Sequence, residues 1–216
     1  MIHLLRLVLF ITLLTSSLKA GTGPFLFVFL NVNPNKPELP KEQVDSLMSG
    51  HFKNIERLAK EGKLLAAGPF YGGGGLFVLS TASKDTAWEW LKTDPGVRAN
   101  RWIIELLPYT PRIGSVCSAG EDYEMVGYGF VRYTTAGKTS DGLDAVMSRH
   151  LEFIKSVVPK DSLIAEGVFA DGEGAILVMR SEPDERILKE EPAVVSGELG
   201  IATKKLWIAR GAFCEH

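Results

Sequence analysis

The chain has 216 residues, with 24 basic and 26 acidic side chains and a formal net charge of −2. Nucleic-acid binding depends on clustered Lys and Arg that neutralise phosphates, so a slightly acidic chain without a basic cluster argues against a nucleic-acid partner. Two cysteines, Cys117 and Cys214, fit no metal-binding spacing, and no cluster of His, Asp or Glu has such a spacing either, so the sequence predicts no metal site. The glycines at 72–75 are not followed by the Lys-Ser/Thr of a phosphate-binding loop, and no cofactor is predicted.

Residues 1–20 have the layout of a secretory signal peptide. Arg6 is the positive start, residues 7–14 are apolar, and small residues lead to a cleavage point at Ala20. The alternative is an uncleaved membrane anchor, but the apolar run is shorter than the ~20 residues that span a bilayer. We therefore expect a periplasmic or secreted protein that has no stable membrane insertion after cleavage.

Residues 24–110 predict the element order βαββαβ. Apolar runs indicate the strands, and a change to helical periodicity, bounded by capping residues, indicates the helices. A unit of this order makes an antiparallel sheet with both helices on one face. The predicted strands are 25–30, 64–70, 76–80 and 102–107, and the predicted helices run from 41 to 62 and from 83 to 94.

A second stretch, residues 123–214, repeats the first at an offset of 99 residues, the separation of His51 and His150. A self-similarity of this length indicates one supersecondary unit made twice. We expect the offset to hold without a gap through the hairpin, so that Leu79 corresponds to Val178.

The predicted fold class is α+β, with two ferredoxin-like βαββαβ repeats packed sheet to sheet as an intrachain α+β barrel. Each sheet leaves one apolar face that must be covered, and the other sheet is the simplest cover. Phe27, Leu65, Val78 and Ile104 are expected in this shared core, with residues 111–122 as the linker between the repeats.

The two cysteines follow the last strand of each repeat. In an oxidising compartment they could form a disulfide between the linker and the C-terminus, and the alternative is two unpaired thiols. The sequence leaves both open because it fixes no distance.

His51 lies on the apolar stripe of the first predicted helix, where a histidine is most often a core residue. Two observations favour a chemical role: His150 repeats it in phase, and Asp94 precedes the helix-ending Pro95. An imidazole with a carboxylate on one ring nitrogen has a fixed tautomer and a more basic free nitrogen, as a general base requires.

The residues from His51 through Gly68-Pro69-Phe70 to Asp94-Pro95 resemble the YCII-related family, small dimeric α+β barrel proteins of the ferredoxin-like type. The resemblance covers the first unit nearly end to end. It implies that His51 and Asp94 form the catalytic pair. One relative eliminates chloride from a chlorinated aromatic breakdown product, so the resemblance also implies lyase-like or isomerase-like proton transfer.

The second unit departs from this pattern. Its carboxylate is Glu191, which is longer than Asp94 and arrives two residues early. We therefore expect His150 and Glu191 to form at most a second pocket, in which His150 lacks a correctly aimed partner.

Three hypotheses follow for the whole chain. The first is an exported enzyme that uses His51 and Asp94 for proton abstraction or elimination on a small carbonyl or aromatic-derived molecule. The second is a non-catalytic module that binds a small molecule, and the third is a structural interaction protein. Trp88, Trp90 and Trp102 either line a pocket for a planar compound or pack in the core. The sequence leaves a homo-oligomer open.

Overall fold

The computed structural model describes residues 23–120, 122–136 and 142–215. The predicted signal peptide lies outside the described residues. None of the described helices is long and apolar enough to cross a membrane.

The described residues form eight strands and six α-helices. The strands are β1 (Phe25–Val32), β2 (Leu64–Pro69), β3 (Gly75–Leu79), β4 (Trp102–Ile113), β5 (Met125–Thr135), β6 (Leu163–Phe169), β7 (Ala175–Met179) and β8 (Leu199–Ala209). The helices are α1 (Lys41–Lys60), α2 (Lys84–Leu91), α3 (Pro95–Arg98), α4 (Leu143–Val157), α5 (Glu185–Lys189) and α6 (Pro192–Val195).

The strands make one antiparallel sheet in the order β2-β3-β1-β4-β6-β7-β5-β8, where the sequence predicted two sheets. The halves are joined because β4 continues to Ile113 and pairs with β6. At the other edge of the sheet, β2 approaches β8, with a bridge between Phe70 and Leu206. The N–H of Tyr71 donates to the carbonyl of Lys205 at 2.9 Å. The two edge strands therefore meet.

The inner face of the curved sheet holds one apolar cluster drawn from both halves. Phe27 and Val78 lie in it with Phe130, as predicted, and the half-buried Leu65 packs against it. Ile104 does not, because successive strand residues alternate between faces and it packs on the helix side.

Strand β1 is buried on both faces because each face meets a different layer. Phe25 and Phe29 point into the inner cluster. Leu26, Val28 and Leu30 pack against the helices of the first half. The continuous apolar run in the sequence is the expected pattern for such a strand.

The offset of 99 residues does not hold through the second hairpin, so the expectation of a gap-free register is wrong. Leu64 pairs with Leu79, and Leu163 pairs with Met179, so the counterpart of Leu79 is Met179. The hairpin turn of the second half is one residue longer because it contains a 3-10 turn at Ala170–Gly172.

The connection between the halves is shorter than predicted, since β4 includes the first three residues of the 111–122 segment. Cys117, in this connection, forms a disulfide with Cys214 near the C-terminus, with a Cα–Cα distance of 5.1 Å across 97 residues of sequence. The bridge therefore ties the connection to the end of β8.

Removing this disulfide should destabilise the fold. A bridge that closes a loop of this length restricts the unfolded chain and is expected to add about 2–5 kcal/mol to the free energy of unfolding. Urea unfolding of the oxidised and reduced protein measures the difference. In the control, the double variant Cys117→Ser with Cys214→Ser, reductant should have no effect. Equal stability of the oxidised wild type and this variant would contradict the prediction.

Candidate active site around His51 and Asp94

Helix α1 carries His51 on its buried face, together with Asn54 and Leu58. The helix lies on the sheet, so the imidazole packs against aromatic rings. It stacks on Phe77 at a centroid distance of 5.7 Å and contacts Trp102 at 4.8 Å. The rings fix its plane, and 8% of the side chain remains exposed.

Asp94 is held at the start of helix α3 because its side chain caps that helix. Its backbone is extended, Pro95 occupies the first helical position, and Oδ1 accepts the N–H groups of Gly96 at 2.8 Å and Val97 at 3.2 Å. This oxygen is used for the cap, so Oδ2 is directed toward helix α1.

The structure brings His51 and Asp94 together, as the sequence predicted. Nδ1 of His51 lies 2.8 Å from Oδ2 of Asp94. Because a carboxylate accepts hydrogen bonds, Nδ1 carries a proton, and in the neutral imidazole Nε2 then keeps its lone pair. Within the described residues, Nε2 has no hydrogen-bond partner.

The charge of Asp94 is stabilised despite full burial. Burial by itself raises the pKa of the carboxyl, but the hydrogen bond and charge of His51 and the N–H groups of Val97 and Gly96 lower it. The net effect is a pKa below the ordinary value for aspartate. Asp94 is therefore a carboxylate at neutral pH.

Three polar residues support Asp94, and the sequence analysis missed all of them. Asn54 donates from Nδ2 to Oδ2 of Asp94 at 3.3 Å. The amide oxygen of Asn54 accepts from Arg57 at 2.8 Å and from Thr93 at 2.9 Å. The available signal was the position of Asn54, three residues after His51 and on the same helix face.

His150 has a partner after all, so the expectation of a badly aimed carboxylate is wrong. Its Nδ1 lies 2.8 Å from Oε1 of Glu191, the same distance as in the first pair. His150 has no exposed surface, and the ring of Tyr133 packs on it at a centroid distance of 4.4 Å.

The longer Glu191 fits because the helices of the second half are spaced differently. In the first half, a Cβ on Gly50 would lie 2.7 Å from Cγ of Pro95, so glycine allows α1 to approach α3. The second half has Arg149 at the corresponding position, and α4 and α6 are not in comparably close contact. The additional methylene of Glu191 spans the wider gap.

A second pair of positions changes in the same compensating way. A Cβ on Gly96 would lie 2.4 Å from the Trp102 ring, so only glycine leaves room for the indole that packs on His51. In the second half, Gly96 is replaced by the larger Ala193, and Trp102 is replaced by the smaller Leu199.

The two carboxylates differ in how well they are held. Glu191 begins helix α6 but makes no capping bond, and its Oε2 is buried without a partner. Asp94 accepts four hydrogen bonds from the groups described above. The first pair is therefore the more firmly oriented one.

An ion pair lies beside the second imidazole, whose Nε2 is buried without a hydrogen-bond partner in the described part of the chain. Nε2 of His150 lies 3.6 Å from Oε1 of the buried Glu166, and Arg112 donates from Nε to the other oxygen at 3.0 Å. Arg112 also donates to the carbonyl of Met147 on helix α4 at 2.7 Å. Burial and the nearby Glu191 and Glu166 carboxylates raise the pKa of Tyr133.

Across the described ranges, no group of three or more His, Cys, Asp or Glu side chains is arranged to hold a metal ion.

Residues 26–109 match the model of the YCII-related domain. This range contains both His51 and Asp94. A comparison with curated proteins gave no match.

Several solved structures are similar to the chain at low sequence identity. A candidate chlorite dismutase is 9% identical over 88% of this chain and 96% of that chain, with a TM-score of 0.50. A haem-binding protein from Thermus thermophilus is 11% identical over 87% and 91%, with a TM-score of 0.48. A candidate monooxygenase from Lactobacillus acidophilus is 11% identical over 87% and 94%, with a TM-score of 0.41. The likeness to the candidate chlorite dismutase concerns the α+β fold alone.

The spacing between α1 and α3 can be tested with Gly50→Ala. In a helix, this change normally stabilises by about 0.5–1 kcal/mol, but here the new methyl group would contact Pro95 and push Asp94 from His51. We expect a net loss of about 1–3 kcal/mol, as for overpacking. Ser49→Ala, at the exposed neighbouring position, is the control and should be neutral or slightly stabilising, because alanine is the better helix former.

Adding Asp94→Glu to Gly50→Ala should recover part of the loss, because it reproduces the arrangement of the second half. Urea unfolding of both single variants and the double variant gives the interaction energy, expected at about 0.5 kcal/mol or more. Strict additivity would show that helix spacing does not decide the choice between Asp and Glu.

Proposed function

We propose that His51 is a general base, oriented by Asp94, in a lyase-like or isomerase-like reaction on a small carbonyl or aromatic-derived molecule. The observation that carries the proposal is that the two nitrogens of the imidazole have different surroundings. Nδ1 is fixed by a buried carboxylate, and Nε2 has no partner within the described residues.

The proposed chemistry begins when Nε2 accepts a proton from a carbon or oxygen of the substrate. The substrate bond to hydrogen breaks, a bond from Nε2 to hydrogen forms, and the imidazolium is balanced by the Asp94 carboxylate. In an isomerisation the proton returns to another atom of the substrate. In an elimination the electron pair expels a leaving group, and the proton passes to solvent.

The surroundings of Asp94 support this role. A carboxylate that accepts two backbone N–H groups, an amide and the imidazole stays charged and fixed in place. Such a group can stabilise the imidazolium without moving, which is the main requirement of electrostatic catalysis. The match of residues 26–109 to the YCII-related domain supports the same pair.

We further propose that the chain is a tandem duplication whose two units close into one barrel. The element order repeats, and the two seams between the halves correspond to each other. One seam pairs Tyr109 with Phe169, and the other bridges Leu206 with Phe70. In this arrangement the second unit takes the place that a second subunit has in a dimeric α+β barrel.

A ligand-binding module without catalysis is the alternative. Substitutions of His51 and Asp94 distinguish a binding module from an enzyme. A base is required for proton transfer, whereas a histidine that only binds a ligand affects affinity alone.

Exchange of substrate hydrogen for deuterium tests the proposed base directly. Small enolisable ketones, incubated with the protein in D2O, should exchange their acidic C–H groups, as followed by proton NMR. His51→Ala should reduce the exchange rate by roughly a hundredfold or more, the usual contribution of a general base. Asp94→Asn should also reduce it, because the asparagine can fix the wrong tautomer.

His150→Ala is the matched control, since His150 has the same type of partner but no exposed surface. It should retain the exchange rate and lose thermal stability. Equal rates for wild type and His51→Ala would leave only the binding module, and an equal loss in His150→Ala would mean two working bases.

We also propose that the protein is exported, because residues 1–20 have the layout of a signal peptide. Expression of the full chain in a bacterium should yield a mature protein that begins near Gly21 and lies outside the cytoplasm. Intact-mass spectrometry of the purified protein measures this. A mass that includes residues 1–20 would reject cleavage.

A further inference from the structure

The inner face of the curved sheet reaches solvent at one end of the proposed barrel, where β4, β5 and β8 continue beyond the inner apolar cluster. Leu107, Phe130 and Leu206 lie in that cluster, so residues an even number of positions from them share its face. Four such residues are exposed: Ile103, Thr134, Ala202 and Lys204. This open end is therefore a concave surface that a small molecule can reach, and the mouths of β-barrels are frequent ligand sites.

The floor of the open end is an ion pair that joins the two halves. Nη2 of Arg132, on β5, donates to Oε1 of Glu105, on β4, at 2.9 Å, and Nη1 donates to Oε2 at 3.3 Å. The guanidinium also lies over the rings of Phe29 at 4.4 Å and Phe169 at 4.9 Å. It thereby covers the apolar cluster, and 12% of the arginine side chain remains exposed.

Lys204 brings a second cation to the open end. Arg132 pairs with Ala202 across β5 and β8, and Lys204 follows Ala202 by two residues. Lys204 and Arg132 are therefore diagonal neighbours on one face of the sheet. The ammonium of Lys204 lies 4.9 Å from the centre of the Phe70 ring. Within the described residues, Lys204 forms no ion pair with a carboxylate.

The charges on the inner face at this end do not balance. Arg132 and Glu105 neutralise each other, and the ammonium of Lys204 is left as a surplus positive charge. The face of the Phe70 ring attracts this ammonium but cannot neutralise it. Nε of Arg132 is also buried, and no described residue accepts its hydrogen bond. An unpaired cation and an unused donor thus belong to neighbouring side chains.

We propose that the open end binds a small carboxylate that carries one negative charge and an apolar body. The carboxylate pairs with the ammonium of Lys204, which balances the single surplus charge. The apolar body lies against the exposed side chains of Ile103 and Ala202, which present only hydrocarbon. This site uses both halves of the chain. His51 packs on the opposite face of the sheet, against Phe77, so the site does not depend on the proposed reaction.

Isothermal titration calorimetry with benzoate tests the proposal, because benzoate combines a carboxylate with an apolar ring. Benzamide has a similar shape without the charge, and inorganic phosphate has charge without the ring. The wild type should bind benzoate at one site per chain. Benzamide should bind about tenfold more weakly, the usual contribution of a hydrogen bond to a charged group. Phosphate should also bind more weakly, because it buries no apolar surface. Added salt should weaken benzoate binding, because the open end is solvent-exposed.

Lys204→Gln removes the surplus charge and should weaken benzoate binding by about tenfold. Lys204→Arg keeps the charge and should retain most of the binding. Glu105→Gln removes the negative charge at the open end and leaves Arg132 unneutralised, so it should bind benzoate more tightly than the wild type. Lys205→Gln is the matched control, because Lys205 is the next residue, points to the other face and pairs with Glu182 at 3.5 Å. It should bind like the wild type, and thermal unfolding checks that each variant folds.

Weaker benzoate binding in Lys204→Gln, with binding kept in Lys204→Arg and Lys205→Gln, supports the proposal. Equal binding by the wild type and Lys204→Gln overturns it, and so does benzamide that binds as tightly as benzoate. A wild type that binds no benzoate overturns it as well, since Lys204 is then a solvated lysine without a ligand. Loss of binding in His51→Ala, with binding kept in Lys204→Gln, would assign benzoate to the His51 site. That result overturns the open-end site and leaves the proposed function standing.

Discussion

The hydrogen bond between an imidazole on one helix and the carboxylate that begins the next short helix constrains much of the surrounding structure. The distance from His51 to Asp94, 2.8 Å, requires α1 and α3 to lie close together. Gly50 makes that approach possible because a Cβ there would meet Pro95, and Gly96 leaves room for Trp102 behind the carboxylate. The Asp94 cap, the two glycines and the indole therefore serve one geometry, and none of them can be changed independently.

The second half satisfies the same constraint with different residues. His150 reaches Glu191 at 2.8 Å, with the longer acid spanning a wider helix spacing. The compensation is incomplete, because Glu191 loses the capping bonds that hold Asp94, and its second oxygen is buried without a partner. Equal distances therefore do not mean equal sites. Only the first carboxylate is oriented by several independent hydrogen bonds, which is the property that a catalytic base requires.

Local patterns in the sequence predicted the parts of the site that depend on local rules. The His51 stripe fixes a helix face, and Asp94-Pro95 marks a helix boundary, although Pro95 begins a helix where the sequence suggested that it ends one. Their meeting was implied by the family resemblance, because neither pattern gives a distance between them. Contacts that depend on how far a strand continues could not be predicted. The pairing of β4 with β6 needs residues 109–113 to stay extended, whereas the linker was expected to begin at residue 111. Whether Glu191 can contact His150 depends on the distance between helices α4 and α6, and the positions of residues along the sequence do not give that distance. Arg112 and Glu166 lie 54 residues apart, and nothing in the sequence connects them.

The ion pair between Glu166 and Arg112 lies beside His150, and this has a consequence for the proposed tandem arrangement. In a symmetric homodimer each position occurs in both sites, so an ion pair that filled one site would fill the other. Two units in one chain can diverge. One can keep an imidazole that is partly exposed, while the other buries its imidazole beside an ion pair across the β4–β6 seam. Such a pair is weak evidence for added stability, but breaking it would leave an unpaired buried charge, so it resists separation of the halves. Specialisation of this kind gives the second unit a structural role and leaves the proposed chemistry to the first.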